Sequence, residues 1–137
     1  GAQYWRRNLP VPGYYAKYGI LLDMVGAANA RFCKEGWSIK YASSVVEKVW
    51  NMAQALGFGN YFIMKQIDPI TDDHYFVNTI ARIPTIDIIN FDPDVNEVGF
   101  GDHWHTRKDD LSIIDKQTLH AVGTTLMNVI YTENTNL

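Results

Sequence analysis

Two histidines stand one residue apart in the segment DHWHT, which covers residues 102–106. Alternate side chains of an extended segment point to the same side, so His103 and His105 could chelate one metal ion together. Imidazole nitrogen is a common zinc ligand. A pair with this spacing is also typical of a solvated polar loop. The spacing alone therefore leaves a metal site and a solvated loop as alternatives.

Four aspartates lie where a carboxylate could take part in chemistry. Asp23 interrupts an apolar segment near the predicted end of a strand, and ligands of α/β sheets bind outside the carboxyl ends of strands. If buried, it requires a cation, a hydrogen-bond network or a proton. Asp72 and Asp73 head a predicted helix, where they either complement the helix dipole or have a functional role, in which a carboxylate binds a substrate amine or shares a proton with another acid. We interpret Asp87 as structural, since no other feature indicates chemistry there.

Acids and a histidine that an α/β fold brings together form mixed oxygen and nitrogen sites of the kind that zinc hydrolases use. Two apolar segments are predicted to be the strands that position these acids. GILLDMVG contains Asp23 and TIDIINF contains Asp87. Nearly unbroken apolar runs of this length indicate strands buried on both faces, as in parallel or mixed sheets. The loop that follows, residues 92–111, is long enough to suggest a functional role.

Three segments predict helices: SSVVEKVWNMAQALG, TDDHYFVNTIARI and DKQTLHAVGTTLMNVIYTEN. Ser44 with Glu47 predicts a capping box and Gly57 a stop for the first, while Pro84 ends the second and Asp115 caps the third. Helical spacing predicts these inward side chains: Val45, Val46, Val49, Trp50, Ala53, Leu56, Phe76, Ile80, Ile83, Leu119, Val122, Leu126 and Val129. The order strand, helix, helix, strand, helix indicates an α/β fold.

The composition is that of a folded domain, or part of one: 137 residues, of which 47% are hydrophobic and 20% charged. The net charge of −3 and the lack of a basic run argue against a nucleic-acid partner. Cys33 is the only cysteine, which excludes an intrachain disulfide and zinc sites built on several thiolates. The longest apolar run is short and contains Asp23, so no membrane-spanning segment is expected.

Four segments, taken in order, resemble a known enzyme family. GILLDMVGA, ITDDH, RIPTIDII and HWHTRKDDLSIIDKQTL are similar to the C-terminal half of zinc-dependent glutaminyl-peptide cyclotransferases and of the aminopeptidases that share their fold. The resemblance covers nearly the whole chain. It implies a three-layer α/β sandwich with a central mixed sheet, of which residues 1–137 would be the C-terminal part of one catalytic domain. Because bacterial relatives of this type are usually exported, it also implies a periplasmic or secreted location.

The resemblance assigns roles to the acids and histidines. Asp23 and Asp72 would be the catalytic acids, and His105 would be a zinc ligand. His103 falls where the family does not require histidine, and we expect it to support the site from behind or to lie at the surface. In aminopeptidases that hold two zinc ions, the aspartate equivalent to Asp23 binds the second metal. In cyclotransferases, which use one zinc, it joins a hydrogen-bonded network of acids.

The resemblance also implies a substrate pocket. Trp104 would be its aromatic wall beside the zinc, and Phe100 and Thr71 would line it, although animal cyclotransferases have glutamine where this chain has Thr71. The tryptophan before His105 and the doubled aspartate are features of cyclotransferases. The expected activity is therefore cyclisation of N-terminal glutamine to pyroglutamate on a peptide or protein. Aminopeptidase activity is the alternative, and a non-catalytic binding module of the same fold is a second one.

Part of the family's active site has no counterpart in this sequence. Its remaining zinc ligands and general-base glutamate precede the region that resembles residues 1–5, and no run similar to Asp-Gly-Glu-Glu occurs here. We therefore expect this chain alone to be inactive and to hold zinc weakly. We also expect exposed sheet edges, covered by the N-terminal half of the domain or by self-association.

Overall fold

Helices and strands alternate along the chain, which confirms the predicted α/β class. The structure, a computed structural model, describes residues 1–5 and 7–133. The elements are α1 (Ala2–Trp5), β1 (Gly19–Asp23), β2 (Phe32–Lys34), α2 (Gly36–Ala55), β3 (Phe62–Gln66), α3 (Asp73–Phe76), β4 (Thr85–Ile89) and α4 (Lys116–Glu133). A π-helical segment, Val77–Ala81, continues α3, and a 3₁₀ turn, Leu111–Ile113, precedes α4.

Strand pairing places the ends of β1 and β4 together. The two strands run parallel and pair along their whole length, so that Asp23 is opposite Ile89. β2 and β3 form a second parallel pair, and a bridge between Phe32 and Phe91 joins the two pairs. Among the described residues, antiparallel contacts are confined to isolated bridges. Because β1 and β4 are parallel, their carboxyl ends open onto the same edge of the sheet.

The prediction for α2 was wrong at its start. The helix begins at Gly36, where the Glu35 side chain accepts hydrogen bonds from backbone amides of the first turn. Ser44 lies inside the helix, and Glu47 forms an ion pair with a lysine of β2 instead of closing a capping box. The predicted end is confirmed, because the helix finishes at Ala55 and Gly57 takes a left-handed conformation with φ of 84°.

The core lies between α2, α4 and the sheet. Trp50 is fully buried, and its indole N–H donates to the carbonyl oxygens of Phe32 and Ile63, which ties α2 to β2 and β3. The largest side chains of this core are Trp50, Phe32, Phe62, Val46, Val49, Ile86, Ile88 and Val129. The stripe predicted for α2 from Val45 to Ala53 is confirmed in full. Burial of this apolar surface is the main stabilising contribution to the fold.

Two other predicted inward positions are exposed. Leu119 of α4 is 44% exposed, since Thr118 and Val122 occupy the buried face instead. Ile80 is 45% exposed, because the wider π-helical turn shifts the buried side to other residues. The cap predicted for α4 is confirmed, as Asp115 accepts the amide of its second residue. Of the helices in the described ranges, none has both the length and the apolar character needed to cross a bilayer.

Candidate active site

Two carboxyl groups meet beyond the carboxyl end of β1. Asp23 is the last residue of that strand, is half-buried, and shares a side-chain hydrogen bond with Asp72. Two carboxyl groups can be hydrogen-bonded only if one of them holds a proton. Burial raises the pKa of Asp23, and the charge and hydrogen bond of Asp72 raise it further. Asp23 and Asp72 therefore form an acid pair at this edge of the sheet, in which Asp72 favours the protonated form of Asp23.

The start of α3 fixes the orientation of Asp72. This residue has an extended backbone and caps the helix, and its Oδ1 atom accepts the amide of Asp73 at 2.6 Å. Asp73 is exposed, and its charge contributes to the raised pKa of Asp23. Asp72 thus caps the helix and also raises the pKa of a second acid, while its functional role stays a prediction. Asp73 has the simpler role of an exposed first-turn carboxylate.

A second group of ionisable side chains is completely buried behind the acid pair. Glu35, His74 and Asp87 are each 0% exposed. The Nε2 atom of His74 lies 2.8 Å from Oε1 of Glu35, and Nδ1 lies 3.6 Å from Oδ2 of Asp87. Burial works against ionisation of Glu35, but hydrogen bonds from His74 and from the Ser38 amide outweigh it and lower its pKa. Glu35 is therefore ionised, and His74 donates to it.

Asp87 has the most unusual environment in the site. Burial raises its pKa to about 8, and the charges of Asp72, Asp23 and Glu35 add to the effect. Within the described part of the chain, neither of its carboxyl oxygens nor Nδ1 of His74 has a hydrogen-bond partner. Its own backbone amide donates to the Ser38 hydroxyl. The protonated form of Asp87 is therefore favoured at neutral pH, which makes it a further acidic group beside the acid pair.

A stack of aromatic rings lies on the loop that follows β4, whose carboxyl end opens onto the same sheet edge as that of β1. The rings of Phe91 and Phe100 meet edge to face at 4.7 Å, and Phe100 stacks on Trp104 with centroids 4.5 Å apart. Trp104 stacks in turn on His105 at 4.0 Å, with an angle of 16° between the planes. His105 adopts a left-handed backbone with φ of 55°, which lets neighbouring rings lie face to face. The stack presents an exposed imidazole beside a half-buried indole.

The loop that carries this stack is tied to the sheet. Asp92, which is buried, accepts hydrogen bonds from the side chains of Arg31 and Lys65, and its amide donates to the carbonyl of Gly99. Gly99 has φ of 80°, and a Cβ atom there would lie 2.4 Å from the Phe91 ring. Only glycine fits this position without displacing the ring. The loop is therefore anchored at its base, close to the end of β4.

The two histidines of the DHWHT segment differ in their surroundings. His103 lines a cavity of about 440 Å³ with Arg31 and Asp92, and Trp104 lines an adjoining cavity of about 410 Å³; Phe100 lines both, and His105 lines neither. The left-handed backbone of His105 also breaks the regular alternation that a shared metal site of the two histidines requires. This geometry favours the expectation that His103 and His105 act separately. Among the described residues, no group of three or more histidine, cysteine, aspartate or glutamate side chains is arranged to hold a metal.

The sequence identified one half of the acidic cluster and missed the other. The candidates from the sequence included Asp23, Asp72, Phe100, Trp104 and His105. In the structure the two aspartates are neighbours, and the rings of the other three residues stack on one another. Thr71, the remaining candidate, is exposed next to the acid pair. Asp23 ends β1 and the aromatic loop follows β4, and the carboxyl ends of these two parallel strands lie at the same sheet edge.

Glu35 was not a candidate, and Asp87 was interpreted as purely structural. An acidic residue within an apolar strand was the one signal that could have indicated Asp87. Nothing in the local sequence of Glu35 marks it, because its key contact is with His74, 39 positions away.

The fold of this chain is that of a class of solved zinc exopeptidases and glutaminyl cyclases. The structure is similar to Porphyromonas gingivalis glutaminyl cyclase, with a TM-score of 0.93 and 51% identity over 97% of this chain and 48% of that one. It is equally similar to a Zn-dependent exopeptidase from Parabacteroides distasonis, with a TM-score of 0.92 and 51% identity over 96% of this chain and 44% of that one.

The sequence comparisons give the family. The chain belongs to peptidase family M28, which it matches over residues 1–130. It is also 34% identical over 113 residues to a glutaminyl-peptide cyclotransferase from Dictyostelium discoideum, which covers 76% of this chain and 28% of that protein. The chain thus spans about half the length of the solved structures and a smaller part of the Dictyostelium protein. The family resemblance stated from the sequence is confirmed.

Proposed function

We propose that this chain is the C-terminal half of a glutaminyl-peptide cyclotransferase. The proposal rests on the similarity of this chain to glutaminyl cyclases in sequence and structure, and the raised pKa of Asp23 beside Asp72 supports it. An aspartate that shares a proton with another carboxyl group is engaged in an acid network, which is the arrangement implied for a cyclotransferase. An aspartate that binds a second metal would have to give up that proton. We call this chain together with the N-terminal region that its relatives have the complete domain.

In the proposed reaction, the α-amine of an N-terminal glutamine forms a bond to its own side-chain carbonyl carbon. The bond from that carbon to the amide nitrogen breaks, and ammonia leaves with the proton that the amine gives up. The acid pair would hold and return a proton during this exchange, as carboxyl groups with separated pKa values do. Trp104 would pack against the glutamine side chain. A glutamate supplied by the N-terminal region would be the general base.

Zinc is proposed as the cofactor of the complete domain. The exposed imidazole of His105 is a nitrogen donor of the type zinc takes, but a catalytic site needs about three protein ligands. His105 is therefore proposed as one ligand, and the others would come from the N-terminal region. Bound at such a site, zinc acts as a Lewis acid toward a carbonyl oxygen. We expect this chain alone to bind zinc far more weakly than the complete domain, which a competition titration with a chromophoric chelator would measure.

The free edge of β1 is the proposed contact surface for the N-terminal region. β1 pairs with β4 on one side, and in the described residues no strand covers its other side. Leu22 at this edge is 45% exposed, and a cavity of about 220 Å³ beside it is lined by Tyr14, Tyr18 and Ile20. An uncovered edge with apolar side chains favours pairing with another strand. Self-association of the isolated chain through this edge would be the alternative, and sedimentation with and without the N-terminal region distinguishes the two.

A direct comparison of substrates tests the proposed activity. The zinc-loaded complete domain is incubated with a peptide that begins with glutamine and with a matched peptide that begins with leucine. We expect pyroglutamate and ammonia from the first peptide and no release of leucine from the second. Turnover of neither peptide by a zinc-loaded sample would instead favour a binding module of the same fold.

Aminopeptidase activity is the second candidate, favoured by the equal similarity to a Zn-dependent exopeptidase. Release of leucine without formation of pyroglutamate would establish it and would refute the cyclotransferase. Zinc content separates the two mechanisms further, since two zinc ions per domain would draw Asp23 away from Asp72. A periplasmic or secreted location is proposed from the resemblance alone, and cell fractionation would test it.

A further inference from the structure

We propose that Glu35 is a positioning residue for the acid pair. Its hydrogen bonds with His74 and with the backbone amide of Ile70 keep Asp72 beside Asp23. This inference rests on the proposed function for the role of Asp72, but the geometry on which it stands does not depend on that function.

The position of Glu35 relative to Asp72 carries the inference. Its carboxylate accepts the backbone amide of Ile70 at 3.2 Å and Nε2 of His74 at 2.8 Å. These two donors lie two residues before and two residues after Asp72. One buried carboxylate therefore holds both sides of the turn that presents Asp72 to Asp23.

The same carboxylate also anchors this turn to α2. Glu35 accepts the amides of Trp37 and Ser38 in the first turn of that helix. All four partners of its two oxygens are N–H donors, and a carboxylate is the side chain that accepts at both oxygens without donating. Helix capping alone does not require such a group, since serine, threonine, asparagine and aspartate are the usual caps. Burial of an ionised glutamate costs free energy unless its charge is compensated and both of its oxygens accept hydrogen bonds.

His74 transmits the position of Glu35 to the helix that Asp72 caps. It is the second residue of α3, and its ring is fully buried between Glu35 and Asp87. Because Nε2 donates to Glu35, the ring has one fixed orientation. If the ring moved, the first turn of α3 would move with it, and Asp72 would be displaced relative to Asp23.

Glu35→Gln tests the inference in the complete domain, with Glu47→Gln as the matched control on the exposed side of the same helix. A glutamine amide offers N–H groups to two of the four donors, so half of the hydrogen bonds are lost. We expect kcat for a glutamine peptide to fall on the order of 10–100-fold, because small displacements of reacting groups have effects of that size. KM should change less than about twofold, as for a loss confined to the transition state. Glu47→Gln should leave both constants unchanged.

The backbone amide of Asp73 gives a readout that is independent of activity. It donates to Oδ1 of Asp72 at 2.6 Å, so its proton resonance should lie far downfield in the NMR spectrum. In Glu35→Gln this resonance should move upfield, while in Glu47→Gln it should stay in place. If the complete domain has no cyclotransferase activity, the proposed function fails and this resonance still decides the inference. A folded Glu35→Gln with an unchanged resonance would overturn it, as would unchanged kcat in an active domain.

Two substitutions of His74 keep the test decisive if Glu35→Gln does not fold. His74→Gln retains an N–H group that reaches Glu35 in place of Nε2, whereas His74→Leu retains the bulk without a donor. We expect His74→Gln to keep most of kcat and the downfield Asp73 resonance, and His74→Leu to lose both. Equal behaviour of the two variants would refute transmission through His74.

Discussion

Replacing Asp87 with asparagine should change how the stability of the complete domain depends on pH. The pKa of Asp87 is raised from 3.8 to about 8, mainly by burial. In the unfolded chain the carboxyl group loses its proton near pH 4, whereas in the folded protein it keeps the proton until about pH 8. Between these limits unfolding releases a proton, so folding becomes less favourable as the pH rises. Asparagine is neutral throughout and removes this dependence.

The size of the effect follows from the width of that pH window. One pH unit within it corresponds to ~1.4 kcal/mol. From pH 5.5 to pH 7.5, two units inside the window, the free energy of unfolding of Asp87→Asn should rise by up to about 2.7 kcal/mol relative to the parent. This figure is an upper limit, because the neighbouring acids titrate together with Asp87 and spread the transition.

Urea unfolding at the two pH values, followed by tryptophan fluorescence, measures this difference. Asp68→Asn removes a carboxylate at an exposed position and serves as the matched control for the substitution itself. Comparing variants at each pH cancels any loss of zinc common to all of them. A difference between Asp87→Asn and the parent that does not change with pH would refute the assignment of a buried, protonated Asp87.

Three further predictions concern the loop and the core. His105→Ala should abolish turnover in the complete domain, whereas His103→Ala should cost far less; equal losses in a steady-state assay would restore the shared His-x-His site. Gly99→Ala should lower the free energy of unfolding by ~1–3 kcal/mol through strain and overlap with the Phe91 ring, while Gly123→Ala, in an uncrowded part of α4, should raise it slightly in the same urea titration. Burial raises the pKa of Cys33 to about 11, so a maleimide should label it only when denaturant is added, and rapid labelling of the folded protein would contradict its burial.

Elements with a continuous hydrophobic pattern were predictable from the sequence. β1 and β4 are mainly apolar, with one aspartate each, and the buried stripe of α2 from Val45 onward follows helical spacing closely. The start of α2 was missed because Ala42 departs from helical dihedral angles, with φ of −146° and ψ of 43°, and the resulting kink breaks the pattern. β2 has only three residues and includes Lys34, which is too little for periodicity to reveal.

The parts of the site that depend on distant contacts were not predictable from local patterns. Asp23 and Asp72 are 49 positions apart, and only the resemblance to a family related them. Glu35 lies outside the predicted helices and strands, whereas His74 lies in a predicted helix, and neither carries a spacing signal. His74 in α3 is buried, whereas Ile80 in the π-helical turn, which regular helical spacing selects as buried, is exposed. Burial of polar groups is a tertiary property, which periodicity detects only when the buried side chains are apolar.

The stacked rings of Trp104 and His105 have an evolutionary consequence. They are adjacent in the chain and their planes are nearly parallel at 4.0 Å, so the indole supports the imidazole directly. In the proposed function Trp104 packs against the substrate and His105 binds zinc, so a mutation at position 104 would affect both roles. Lineages that diverge in the side chain they accept should therefore show paired changes around these two rings. Substrate preference and metal coordination would then be inherited together as one trait.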